Sequence, residues 1–177
     1  MTSMIAFETE LGRCAVRWGG AGVTRVLLPH RDDRPGPRVP DRAGFPDRVA
    51  VPRFVLEAIE GMTALLAGEP RDLRGVPIDE RRLDNFRRAV YAATRDIPAG
   101  ATRSYGEIAR EIGRPEAARD VGAALARNPF PIIIPCHRVV ASNGALTGFS
   151  APGGLATKRR MLELEGAPGY GQQVLFG

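Results

Sequence analysis

The sequence predicts a mixed α+β fold: a small antiparallel sheet with a helix in the first half, then a mostly helical second half that contains a helix-turn-helix. Three observations carry this prediction. Residues 4–28 hold three runs rich in Val, Ile, Phe and Trp (MIAFETELG, RCAVRW and VTRVLLP), split by Gly12 and by Gly19, Gly20 and Gly22, as expected of strands joined by tight turns. Residues 53–67 place Phe54, Val55, Ala58, Ile59, Met62, Leu65 and Leu66 at helical spacing. Residues 104–127 carry start and stop signals for two short helices joined by a glycine-containing turn.

Taken in order, the three short strands are followed by a different composition. Over 29–52, Pro29, Pro35, Pro37, Pro40, Pro46 and Pro52 stand among charges. Such a segment cannot bury a core, which predicts an exposed loop. The helix over 53–67 stops at Gly68. Residues 69–80, with Pro70, Gly75 and Pro77, read as a linker. This places a boundary near residue 80 and divides the chain into 1–80 and 81–177. A second helix is expected over about 83–95, with Leu83, Phe86, Val90 and Ala93 on one face, and IPAGAT (97–102) is a turn.

Ser104 can cap a third helix, and Glu107 completes a capping box. Tyr105, Ile108, Ala109 and Ile112 keep a helical face as far as Gly113, which can take the left-handed conformation that ends a helix. Arg114 and Pro115 form the turn, with Pro115 suited to the first position of a fourth helix over 116–127. That helix places Ala118, Val121, Gly122 and Leu125 on one face. Its small residues Ala117, Ala118, Ala123 and Ala124 would let a backbone approach another surface closely. A DNA-binding helix-turn-helix and an ordinary helical hairpin both fit this pattern, and Arg119 is exposed on either.

The chain has 177 residues, 44% hydrophobic and 25% charged, an ordinary globular composition. No apolar run approaches the ~18–20 residues of a membrane span. The first residues lack a basic segment followed by an apolar core, so no signal peptide is expected. The formal net charge is +5 and is carried by arginine, with Lys158 the one lysine among 25 basic residues. An anionic partner such as nucleic acid and a genome that writes Arg for Lys both explain that excess.

Two cysteines, Cys14 and Cys136, make no disulfide framework and point to a reducing cytoplasm. Cys136 stands with His137 and Arg138 between the apolar runs 132–134 and 139–140. Polar groups so placed must be hydrogen-bonded or at work, because a buried unpaired one costs about 1–3 kcal/mol. Cys136 is either a small core hydrophobe or a nucleophile whose basic neighbours favour thiolate. His137 could reach it only in a turn or through a water, since neighbouring side chains on a strand point apart. Two Cys and two His (His30 and His137) in distant segments give no zinc spacing, and no CxxC is present.

The run SYGEIAREIGRPEAARDVGAALARNPFPIIIPCHRVVASNGALTGFSAPGGLATKRRMLELEG closely resembles the O6-alkylguanine-DNA alkyltransferases, most strongly in PCHRV preceded by Asn128-Pro129. The likeness is detailed over about 83–166 and only an outline before it. It implies a ribonuclease-H-like first half with a supporting role and a winged-helix-like second half. It implies DNA repair without cofactor or metal: a cytoplasmic monomer, with no membrane partner, moves an alkyl group from O6 of guanine (or O4 of thymine) in double-stranded DNA irreversibly onto Cys136.

The resemblance further implies residue roles. His137 takes the thiol proton through a water, and Glu165 orients His137. Asn128 ties the turn that holds Cys136, and Tyr105 donates toward the departing base. Arg119 enters the duplex behind the flipped guanine. The helix bearing Ala118, Gly122 and Arg127 lies in the minor groove. Leu125, Val139, Phe149 and Ser150 form the substrate pocket, with the carbonyls of Cys136 and Val139 reading the guanine amine.

The sequence departs from the family pattern at several positions. Asp120 stands where alanine is usual, Phe149 where many members have tyrosine, and Ala151-Pro152 look inserted. The zinc ligands that some members carry are incomplete, with Cys14 and His30 the only candidates. Two other readings remain in view. One is a lesion sensor or regulator whose cysteine is a switch. The other is a thiol enzyme acting on a small metabolite.

Overall fold

A computed structural model of the chain describes residues 3–30 and 51–171. The proline-rich loop expected over 29–52 therefore falls largely outside the described residues. The three expected strands are β1 (Ser3–Thr9), β2 (Gly12–Gly19) and β3 (Gly22–Leu27), an antiparallel sheet in the order β1-β2-β3. One helix, α1 (Arg53–Leu66), packs on it and buries Val55, Ala58, Met62, Leu65 and Leu66.

The expected linker is stitched to the sheet. Val23 donates its amide to the Pro77 carbonyl at 2.8 Å, and the Asp79 amide donates to the Val23 carbonyl at 2.8 Å. Gly22 is what permits this approach. Its φ is +133°, and a Cβ there would lie 2.6 Å from the Pro77 oxygen. Arg95 adds two further bonds from its Nη2, to the carbonyls of Leu73 and Val76.

In the second half α2 (Asn85–Arg95) begins two residues later than expected, because the Asp84 side chain accepts the Arg87 amide and caps the helix there. Tyr91, 2% exposed, ties α2 to the fourth helix by donating its hydroxyl to the Ala124 carbonyl at 2.8 Å. The third helix, α3 (Tyr105–Glu111), has both halves of the Ser104–Glu107 capping box, and Gly113 takes φ +75° after it.

The fourth helix is shorter than expected. α4 (Ala118–Ala126) starts at Ala118, while Pro115 and Glu116 stay in a turn closed by the Ala117 amide on the Arg114 carbonyl. Ala117 is buried and anchors that turn in the core, as Ala124 anchors the far end. Those two small residues are thus spent on packing rather than on an outer surface. A two-strand parallel ladder, β4 (Arg103–Ser104) with β5 (Val139–Val140), joins the start of α3 to the cysteine segment. The last helix is α5 (Gly154–Leu164). One continuous apolar core runs through both halves, from Ile5 and Trp18 through Met62 and Val90 to Ile134 and Met161. Among the described residues no helix is long and apolar enough to cross a membrane.

Candidate active site

Residues 131–140 are buried throughout. Asn128 shapes the entry to this segment: its Nδ2 donates to the Ile134 carbonyl at 2.9 Å and its Oδ1 accepts the Phe130 amide at 2.9 Å. Between these contacts the chain folds back through Ile132 at φ +73°, a strained conformation for a β-branched residue. Cys136–Arg138 then form a single 3₁₀ turn, with the Arg138 amide on the Pro135 carbonyl. A turn stands here, one of the two ways, with a bridging water the other, in which the sequence allowed the thiol and imidazole to cooperate.

Behind the thiol lies a buried charge system. Glu165 caps the C-terminal end of α5, and its side chain is fully enclosed. Its Oε1 meets His137 Nε2 at 2.8 Å and Arg138 Nη2 at 2.7 Å, while Oε2 accepts Arg138 Nε at 2.9 Å. Arg138 spends its remaining Nη1 donor on the Ile97 carbonyl. Burial alone would push the Glu165 carboxyl up, but His137 and Arg138 outweigh it and bring the group to about 2. Burial holds His137 below its usual range, with Glu165 opposing that shift only in part. The imidazole is therefore neutral at pH 7. With Nε2 donating to Glu165, Nδ1 carries the lone pair, and among the described residues it has no partner.

On the other flank stands Lys158, 1% exposed. Its Nζ donates to the Val139 carbonyl at 2.6 Å, the Thr147 carbonyl at 3.0 Å and the Tyr105 hydroxyl at 3.3 Å. Tyr105 in turn donates to the Thr147 carbonyl at 2.9 Å. Burial lowers the Lys158 ammonium to about 8. For Cys136, burial pushes the thiol up, and the hydrogen bond from Asn128 and the charge of Lys158 offset this only partly. The basic neighbours expected to favour thiolate do not prevail: at 8% exposure, loss of hydration outweighs them. The thiol needs a base.

A cavity of about 380 Å³ opens beside Cys136. Tyr105, Leu125, Asn128, Phe149 and Ser150 line it from the second half, and Arg127 stands at the same wall. Ser150 donates its hydroxyl to the Ala126 carbonyl. Val139 is not part of the wall, and Lys158 already holds one side of its carbonyl oxygen. On α4, Arg119 is exposed, Ala118 is half-buried, and Gly122 faces the Tyr105 ring, 3.8 Å from where its Cβ would be. The first half also reaches the cavity, through Arg25, Leu28 and His30. Among the described residues no cluster of three or more His, Cys, Asp or Glu could hold a metal ion. Cys14 packs against the Thr9 hydroxyl, and burial raises it to about 11.

Sequence reasoning missed two functional side chains. Arg138 was visible only as a neighbouring charge, since its partner lies 27 residues away. Lys158 had a signal that went unused: in a chain with arginine at every other basic position, it marks a place where a compact three-donor ammonium fits and a planar guanidinium does not.

Comparison with known proteins agrees with this geometry. The family described as 6-O-methylguanine DNA methyltransferase, DNA binding domain, matches residues 85–167. A methylated-DNA–protein-cysteine methyltransferase of Mycolicibacterium paratuberculosis is 44% identical over 126 residues, covering 71% of this chain and 72% of the relative. One from Methanosarcina acetivorans is 45% identical over 116 residues, covering 64% of this chain and 70% of the relative. The crystal structure of Mycobacterium tuberculosis OGT in complex with DNA superposes with a TM-score of 0.71 at 36% identity, covering 94% of this chain and 95% of that one. With the acceptor turn, its buried base and these relatives in agreement, the chain belongs to the methylated-DNA–protein-cysteine methyltransferase family.

Proposed function

We propose that this protein repairs DNA by direct alkyl transfer, with Cys136 as the acceptor of the group on O6 of guanine. The observation that carries the assignment is one thiol at the wall of a cavity, backed by a neutral imidazole that a buried carboxylate orients. This is the nucleophile, base and orienter arrangement of covalent catalysis.

Sγ attacks the carbon attached to O6. The C–O6 bond breaks, its electron pair passes to the purine, and a thioether forms. His137 Nδ1 takes the thiol proton through a bridging water, and Glu165 stabilises the imidazolium that results. Tyr105 shifts its hydroxyl from the Thr147 carbonyl to the departing base. Cys136 lines the cavity, and its carbonyl is the acceptor offered to the guanine amine; the Val139 carbonyl, off the wall and held by Lys158, is not. Leu125, Phe149 and Ser150 wall the pocket. Arg119 fills the place of the flipped nucleotide, and Ala118, Gly122 and Arg127 bring α4 onto the minor groove. The thioether cannot regenerate the thiol, so each molecule acts once, as a monomer and without cofactor.

The three-stranded sheet with α1 supports a ribonuclease-H-like reading of residues 1–80. The α3–turn–α4 unit with the β4–β5 ladder supports a winged-helix-like reading of 81–177.

The test is intact mass after mixing with duplex DNA carrying one O6-methylguanine, followed by peptide mapping. The expected result is a gain of one CH₂ on the Cys136 peptide. An unchanged mass with DNA bound would favour the lesion-sensor reading instead.

A pH profile follows from the same groups. His137 works as a base only when neutral, and its pKa lies below the ordinary 6.5. The Lys158 cation supports the forming thiolate and is lost as pH rises through about 8. Single-turnover transfer from the duplex is therefore expected to be flat from pH 6.5 to 7.5 and to fall above 8. A rate that climbs tenfold per pH unit across 7–9 would show that ionisation of the free thiol, not His137, controls the step.

A further inference from the structure

The outer face of the first-half sheet carries charge that no carboxylate among the described residues neutralises. Arg17 and Arg25 are direct cross-strand partners in β2–β3. Like charges placed directly opposite each other destabilise a sheet, and among the described residues neither has a carboxylate at ion-pair distance. Arg17 donates its Nε to the Met4 sulfur. The contrast on the same sheet is Arg13, paired with Glu8. Arg25 also lines the cavity that holds Cys136, in company with Arg127 from the end of α4. Its position is fixed relative to the acceptor turn, because the next residue, Val26, donates its amide to the Pro129 carbonyl at 2.9 Å, one residue beyond Asn128. Two arginines from opposite halves of the chain, neither ion-paired among the described residues, thus line one opening.

We propose that Arg25 is a DNA-positioning residue: it holds a backbone phosphate next to the nucleotide that enters the cavity, across the opening from Arg127, with Arg17 adding positive charge behind it. This rests on the alkyl-transfer reading above and extends the DNA surface from α4 onto the sheet of the first half. A flipped guanosine brings its two flanking phosphates to the mouth of its pocket, and those are the anions that would relieve the Arg17–Arg25 repulsion. Contacts of this kind fix register without reading sequence.

The test uses the full chain with Arg25→Gln and Arg25→Glu, and with Arg53→Gln as a control at an α1 arginine already paired with Glu57. Binding to an O6-methylguanine duplex is measured across a salt series. Transfer is followed from the duplex and from O6-methylguanine supplied as the free base, which has no phosphate. Arg25→Gln should weaken duplex binding about 5–10-fold at low salt and make the slope of log affinity against log salt shallower by about one. Arg25→Glu should weaken binding further, Arg53→Gln should change nothing, and free-base transfer should stay within about twofold of the parent for all three. An unchanged salt slope in Arg25→Glu overturns the proposal. So does free-base transfer that falls in parallel with duplex transfer, which would make Arg25 part of the pocket wall. Failure of the parent chain to take up any alkyl group would count against the acceptor reading alone, because the duplex salt slope still reports on Arg25.

Discussion

Cys136→Ala is expected to abolish alkyl transfer while leaving duplex affinity within about threefold of the parent, since phosphate and groove contacts set that affinity. No other thiol can substitute. Cys14 is fully buried in the sheet, held by Thr9 and pushed to about 11, so it supplies neither access nor thiolate. The fold should tolerate the change, because Cys136 sits beside a cavity and the loss of one sulfur costs about 1 kcal/mol. The Asn128 bonds to the Ile134 carbonyl and the Phe130 amide, which shape the turn, run to backbone groups and remain in the variant. Intact mass and fluorescence anisotropy on the same duplex check the two halves of the prediction. Residual transfer in this variant would refute the assignment of the acceptor.

Glu165→Gln should lower the single-turnover rate by a factor of about 10²–10⁴, the range seen when the group orienting a catalytic imidazole is lost. The amide presents an N–H where Arg138 or His137 needs an acceptor, so the imidazole loses both its orientation and its counter-charge. The same change leaves the Arg138 guanidinium buried without a carboxylate, which costs about 3 kcal/mol of stability. The pH dependence separates the two effects. The carboxyl is at about 2 in the fold against an ordinary 4.5, so its contribution is fully present above pH 4.5 and is lost as pH falls toward 2. Glu165→Gln should flatten that limb of the stability curve. Glu163→Gln, two residues earlier with a half-buried side chain, should leave both rate and stability close to the parent. Rates measured well below the unfolding temperature exclude simple loss of folded protein. A variant that is destabilised yet transfers at the parental rate would make Glu165 structural only.

How much of this was legible in the sequence depended on whether the deciding contact was local. The Ser104–Glu107 box and the stop at Gly113 involve neighbours in the chain, and both stand where their residues point. The start of α4 was misplaced by two residues because Ala117 prefers the core, and no local rule reports that. The β4–β5 ladder has two residues per strand and therefore no periodicity to detect. At the site, Cys136 and His137 declared themselves as polar residues in an apolar run. Their protonation did not, because it depends on how deeply they are buried. Arg138 looked like a source of positive charge for the thiol, yet it is committed to Glu165 and Ile97. The Arg25 side of the cavity was invisible for the same reason: residues more than 100 positions apart meet only in the fold.

Lys158 and Glu165, which serve opposite flanks of the acceptor turn, sit on one helix and its cap, seven positions apart. Seven residues make about two turns, so both side chains leave α5 on nearly the same bearing. Insertion or deletion of one residue between them would rotate one against the other by about 100°. The cation over the Val139 carbonyl and the anion under His137 could then no longer be presented together. Arg159 and Arg160 between them are exposed, but the number of residues in that interval is fixed. The spacing, more than any single side chain outside the pair, is what the chemistry asks of this helix.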